Sequence, residues 1–169
     1  GYLGLSSFAN LTNGVRTGLV VRMLDDEVNG AILTDDKKQE LVINDAVEIA
    51  KRNNFSEVVL DLEYTTLFND ATSGQITGFV RKFSQSAHSA NLRFAMTVYG
   101  DLYYRSRPYD LKALGDASDE ILIMAYDFHK LYGEPGPNFP LTQGKKYGYS
   151  YAQLVSDFKK HVPADKLTV

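Results

Sequence analysis

Two apolar runs that do not alternate with polar residues constrain this chain most: Val58-Val59-Leu60 and Ile121-Leu122-Ile123-Met124-Ala125. A strand with one wet face alternates apolar and polar side chains, whereas a strand covered on both faces reads as continuously apolar. Helical patterns separate the two runs. Thr34-Asp35-Asp36 supplies a capping oxygen and an acidic first turn, and Val42, Ala46, Ile49 and Ala50 then share one helix face up to about Asn53. Ile76, Phe79, Val80 and Phe83 follow at i, i+3, i+4, i+7 on a second helix.

The remaining elements are expected as follows. Tyr2–Phe8 reads as a short first strand, followed by a turn-rich segment through Asn10, Asn13 and Gly14. Arg93–Tyr99 reads as a strand and Tyr109–Leu114 as a short helix closed by Gly115. The run from Ile121 to Tyr126 is a buried strand ending at Asp127, and a loop rich in Gly and Pro follows it. Ser150 caps a last helix with Tyr151, Leu154, Val155 and Phe158 inward, and Lys166–Val169 opens a further strand. The order β-α-β-α-β-α-β-α-β predicts an α/β fold with a parallel sheet covered by helices. A closed (β/α)8 TIM-type barrel typically needs about 250 residues. The 169 residues here are therefore expected to form an incomplete barrel of about five parallel strands, as one domain segment over 1–169.

The strand Glu57–Glu63 carries the chemical signal. Asp61 and Glu63 stand at i, i+2 at its end, so both side chains leave the same face with Cα atoms roughly 6.6 Å apart. A buried strand has no structural need for that pair, because carboxylates there require partners or water. The strand end reads as a place for acid–base chemistry, against the alternative of an ordinary solvated strand end.

Bulk properties narrow the class. A formal net charge of −3 leaves no basic stripe for phosphates and argues against nucleic acid as a partner. No apolar run reaches the roughly 18 residues needed to span a bilayer. The absence of cysteine excludes a disulfide framework and thiolate metal ligands. His88, His129 and His161 show no i, i+3 or i, i+4 pairing, so neither metal nor cofactor is expected. His129 is expected as a loop hydrogen-bonding residue, and His88 and His161 as solvated. Gly1 leads straight into Tyr2-Leu3-Gly4-Leu5 with no initiator Met or signal peptide, so the chain is expected to begin inside a fold. Open edge strands would favour self-association.

Asp61-Leu62-Glu63-Tyr64 and Met124-Ala125-Tyr126-Asp127-Phe128-His129, in this order at two strand ends, resemble the family 18 glycoside hydrolases. That family includes chitinases and spore-cortex N-acetylglucosaminidases. Its fourth strand ends Asp-x-Glu and its sixth carries Met-x-Tyr-Asp; Pro135–Leu141 resembles the loop after the sixth. The resemblance implies strands three to seven of the barrel, running from Tyr2 to Lys166. It implies a hydrolase of β-1,4-linked N-acetylglucosamine glycans, of chitin or peptidoglycan type, that is secreted or at the cell surface. The implied general acid is Glu63. Asp61 would accept the acetamido N–H and Tyr126 would donate to the acetamido oxygen. Asp127, Met124 and Tyr64 are the implied substrate contacts. Tyr103, Tyr104, Tyr132, Tyr147 and Tyr149 are aromatic faces that either stack on sugars or merely lie at the surface.

The match departs from the family in particular places. Ser56-Glu57 stands where the family has Asp-Gly, Val59 where it has Asp or Asn, and the chain has no Trp. Retention of Asp61 and Glu63 favours an enzyme. Val59 favours the rival, a weak or inactive carbohydrate-binding member of the same fold. An unrelated β/α domain whose strand-end acids bind a divalent cation is a third, more distant reading.

Overall fold

Residues 14–129, 133–144 and 146–169 are described by a computed structural model of the chain. Their strands are β1 (Gly18–Met23), β2 (Glu57–Leu62), β3 (Arg93–Tyr99), β4 (Glu120–Met124) and β5 (Leu167–Thr168). The helices are α1 (Asp26–Leu33), α2 (Asp36–Arg52), α3 (Asp70–Ser89), α4 (Leu111–Ala117) and α5 (Tyr151–Phe158). The strands form one sheet in the order β1-β2-β3-β4-β5, and every neighbouring pair is parallel. An order that follows the sequence without reversal has no switch point, unlike a doubly wound sheet. Right-handed crossovers then place the helices on one side, as in a sector of a (β/α)8 barrel.

The first strand differs from expectation. Tyr2–Phe8 lies outside the described residues, and the strand that pairs with β2 is Gly18–Met23, with Arg22 opposite Asp61. This stretch is as long as β2, but it opens on a glycine and is exposed at alternate positions where β2 is buried throughout. Helix α1 was also not read from the sequence. It contains Gly30, a poor helix former, at a point where a Cβ would sit 3.1 Å from the Tyr64 hydroxyl. Close packing decides that residue more than helix propensity does.

The other elements follow their local signals. Asp35 caps α2 by accepting from the Lys37 and Lys38 amides, Asn69 caps α3 through the Thr72 amide, and Ser150 caps α5 through the Gln153 amide. Asn54, just past α2, takes the left-handed backbone (φ 58°) that Asn tolerates at helix ends. Two boundaries move. Helix α4 starts after Asp110 and runs to Ala117, so Gly115 lies inside it rather than closing it. A Cβ at Gly115 would come 2.6 Å from Val162 Cγ2, so this glycine serves close packing. Strand β4 ends at Met124, which leaves Tyr126 in the following loop.

The two faces of the sheet differ in kind. Val58, Leu60 and Leu62 of β2, Phe94, Met96 and Val98 of β3, and Ile121 and Ile123 of β4 point toward the helices. There they meet Ile43, Ala46, Ile76, Phe79, Phe83, Leu114, Leu154 and Phe158 in a single core. The opposite face, the inside of the barrel, carries the alternate residues: Glu57, Val59 and Asp61 on β2, Arg93, Ala95 and Thr97 on β3. Its lower layer is ionic. Arg93 bridges Glu57 (3.3 Å) and Glu120 (3.6 Å), and Arg16 reaches Glu120 at 3.2 Å. Its upper layer is the candidate site.

Phe83 is fully buried between Phe79 and Phe94, with ring centroids 5.8 and 5.4 Å away. Phe83→Ala is expected to lower stability by about 3–5 kcal/mol, read as a drop in the urea midpoint. A loss under about 1 kcal/mol would place this ring outside the core.

Candidate active site

The ends of β1 and β2 are tied together before any side chain enters the cleft. The Glu63 amide donates to the Met23 carbonyl (2.9 Å). Asn29 of α1, buried, donates through Nδ2 to the carbonyls of both Met23 (3.0 Å) and Glu63 (2.9 Å). The Tyr109 hydroxyl donates to the Leu62 carbonyl (2.8 Å) and accepts from the Tyr64 amide (2.7 Å). One residue further, Thr65 donates its amide to Asp26 Oδ1 at 3.0 Å. The backbone that carries Glu63 is therefore held on both sides.

Asp61 lies in the barrel interior, 7% exposed. A buried carboxylate needs partners, and two neighbouring strands supply them. Thr97 of β3 donates its hydroxyl to Oδ1 at 2.6 Å, and Arg22 of β1 donates Nε to Oδ2 at 3.1 Å. Glu63, one layer up, accepts from the Tyr99 hydroxyl at Oε2 (3.0 Å), and its Oε1 lies 3.9 Å from Arg22 Nη2. Arg22 thus bridges both acids. Val59, directly below Asp61, is buried and apolar, so Asp61 finds its charged partner beside it on β1 rather than beneath it on its own strand.

Above these groups opens a cavity of about 370 Å³, within the range of small-ligand sites. Glu63, Met124, Tyr126 and Asp127 line it together with Arg22, Tyr99, Asp101 and Arg107. Tyr126 is half exposed. Burial, and then the negative charge of Asp61, Glu63 and Asp127, push its phenol above the usual range, so it stays a hydrogen-bond donor at neutral pH. Asp127 adopts a left-handed backbone (φ 53°), and Asn138 secures it by accepting the Asp127 amide on Oδ1 and the Phe128 amide on its carbonyl, each at 2.8 Å. Asp tolerates this conformation better than most residues. It turns the chain sharply just after Tyr126.

Of the residues expected to touch substrate, Met124 and Asp127 reach the cavity and Tyr64 does not. Tyr64 packs against the core with its hydroxyl toward Gly30 of α1. At i+1 from Glu63 it leaves the opposite face of the chain, where β2 meets the helix layer. The loop tyrosines also sort themselves. Tyr104, Tyr147 and Tyr149 gather around Phe128, Tyr103 stacks on His161, and Tyr132 lies outside the described residues. His129 Nδ1 lies 3.3 Å from the Pro137 carbonyl, as a loop residue should, while His88 pairs with Asp119 at 2.8 Å instead of standing free in solvent. Among the described residues no group of three or more His, Asp or Glu is placed to hold a metal ion.

The chain as a whole is similar to known proteins. A family model for glycosyl hydrolases family 18 matches residues 29–169. The chain belongs to that family. A Bacillus subtilis (strain 168) protein described as "Putative sporulation-specific glycosylase YdhD" is 24% identical over 156 residues, which is 90% of this chain and 34% of that protein. The Ostrinia furnacalis Group IV chitinase, solved in complex with allosamidin, superposes with a TM-score of 0.80 at 17% identity, covering 96% of this chain and 48% of that one. The Bacillus cereus spore cortex-lytic enzyme SleL superposes with a TM-score of 0.79 at 18% identity, covering 99% and 38%. The chain spans about a third of the curated relative and half or less of these structures. At such identities the structural likeness speaks for the barrel fold.

Arg22, Thr97, Tyr99, Asp101 and Arg107 were not singled out from the sequence. Thr97 and Tyr99 had a usable signal, because they alternate with the core residues of β3 and so had to share a face with Asp61 and Glu63. Arg22 had none until its strand was recognised.

Thr97→Val removes a 2.6 Å donor from a buried carboxylate at nearly constant volume. The expected cost is about 1–3 kcal/mol, measured by urea unfolding. An unchanged midpoint would mean that Asp61 is satisfied without Thr97.

Proposed function

We propose that this barrel hydrolyses β-1,4-linked N-acetylhexosamine glycans, of the chitin or peptidoglycan type, with the substrate's own acetamido group as nucleophile. Family 18 enzymes are an exception to the usual two-carboxylate glycosidase scheme in this respect. The observation that carries the proposal is the convergence of Glu63 and Tyr126 on one cavity above the buried Asp61. In this reading Glu63 protonates the glycosidic oxygen as the bond to the anomeric carbon breaks. The acetamido oxygen attacks that carbon from the other face and forms an oxazolinium ion. Asp61, held by Thr97 and Arg22, accepts the acetamido N–H and offsets the positive charge. Tyr126 donates to the acetamido oxygen and orients it for attack. Water, deprotonated by Glu63, then opens the ring with retained configuration. Met124 and Asp127 contact the sugar, and the activity belongs outside the cell or at its surface, where such polymers lie.

A specific observation favours the second reading, a barrel that binds glycan without cleaving it. Arg22 reaches both carboxylates, so each acid already has a charged partner within the site before any sugar enters. Turnover separates the two readings. In the full-length protein that carries this chain, a chromogenic chitobiose substrate is expected to be hydrolysed. Glu63→Gln is expected to cut that rate by about 10²–10⁴-fold while leaving oligosaccharide binding nearly intact. Saturable binding without turnover in the unmodified protein would establish the second reading, and activity of Glu63→Gln within a few-fold of wild type would remove Glu63 from the acid role.

A further inference from the structure

The residue that touches Glu63 from β3 is itself held in place. Tyr99 closes β3, and its hydroxyl donates to Glu63 Oε2 at 3.0 Å. A phenol has one proton to give. Its ring is itself fixed: the Arg107 guanidinium carbon lies 3.6 Å from the ring centroid, and Tyr109 meets the ring edge-on at 6.0 Å. Arg107 is held in turn by Asp101, through Nε to Oδ1 (2.9 Å) and Nη2 to Oδ2 (3.2 Å). Asp101 is buried and also takes Arg105. The link between Tyr99 and Asp101 is Gly100, whose amide donates to the Met124 carbonyl (3.1 Å). A Cβ at Gly100 would stand 2.7 Å from Leu154 Cδ1 and 2.9 Å from that carbonyl, so this segment lies flush on β4 and cannot slide.

We infer that Tyr99 is the positioning residue that decides which oxygen of Glu63 carries the catalytic proton, with Arg107 and Asp101 holding Tyr99 in place. With Oε2 occupied as an acceptor, a protonated Glu63 carries its hydrogen on Oε1. The inference rests on the reading of Glu63 as the general acid. Burial, followed by the charges around Tyr109 and Glu63, raises the Tyr99 phenol far above its ordinary range. Its hydrogen therefore remains available across the whole pH range in which a glycosidase operates. Arg107, packed on the ring and bidentate on Asp101, restricts the ring's swing. A carboxyl group with one oxygen anchored in this way presents its acid hydrogen in one direction without reorganising, and that is what proton transfer to a leaving oxygen requires.

The role makes a prediction that a merely structural tyrosine does not. A sugar leaving group needs the proton, whereas a highly activated aryl leaving group departs with little help. In the full-length protein, Tyr99→Phe keeps the ring under Arg107 and removes only the hydroxyl. It is expected to lower kcat about tenfold on a chitooligosaccharide, with KM within about twofold. On a dinitrophenyl glycoside of the same sugar, kcat should fall less than about twofold. Arg107→Lys, which keeps the charge but loses the planar stack and the bidentate grip, should show the same selectivity to a smaller degree. The double variant should be no worse than Tyr99→Phe alone, since both act through one hydroxyl. Equal losses on both substrates, or no loss on either, would overturn the inference. Glu63→Gln run in parallel separates the two claims. If it is inactive on the oligosaccharide while Tyr99→Phe shows no selectivity, only the positioning role fails. If it remains active, the reading of Glu63 as the acid fails first, and the role assigned to Tyr99 falls with it.

Discussion

Asn29 holds the site together. One buried side-chain amide donates to two carbonyls, Met23 at the end of β1 and Glu63 just past the end of β2. Without it, the Glu63 carbonyl would lose its side-chain donor and the Met23 carbonyl would keep only the Glu63 amide, at the rim of the core where an unmet polar group costs free energy. With it, and with Tyr109 bonded to the backbone on either side of Glu63, the last residues of β2 stay extended beyond the sheet ladder. The alternation of side chains then continues to residue 63. Asp61 and Glu63 face the barrel interior and Leu62 and Tyr64 face the helices, because the chain is not free to twist there.

From that constraint follows a particular arrangement of charge. Two carboxylates stacked on one strand face repel each other and resist burial, so the strands on either side supply what β2 cannot. From β1 comes Arg22, which touches both acids; from β3 come Thr97 for the lower acid and Tyr99 for the upper. Each acid has its own partner from β3, and both share Arg22 of β1, which stands level with Asp61 and reaches up to Glu63. Parallel pairing makes this possible, because the register sets Arg22 beside Asp61 and keeps equivalent rows of side chains level. The ionic layer below, built on Glu57, Arg93 and Glu120, obeys the same rule with the charges distributed differently.

Much of this was legible in the sequence, and the parts that were not share a cause. The apolar runs of β2 and β4, the helix faces of α2 and α3, and the capping residues Asp35 and Ser150 are local signals that hold wherever the helices and strands pack. The acids at 61 and 63 could be placed at a strand end, and Tyr126 just past one, because their strands carry apolar runs. What escaped was decided between elements. Strand β1 begins with a glycine and is exposed at alternate positions, and its identity comes from pairing with β2. Gly115 looked like a helix stop and proved to be a packing residue against Val162. Tyr64, adjacent to Glu63 in sequence, points away from it in space, which the two-residue period of a strand foretells once the strand is known to continue past Leu62.

The central claim is that the reacting group beside Asp61 and Tyr126 is the acetamido group of the substrate itself. The stereochemistry of hydrolysis tests it most directly. Proton NMR of the first product formed by the full-length protein from a chitooligosaccharide, followed before mutarotation, reports the anomer released. Attack by the acetamido oxygen and then by water inverts the anomeric carbon twice, so the account predicts the β-anomer. An initial product in the α-configuration would mean that water attacks directly, and the roles given to Asp61 and Tyr126 would be wrong.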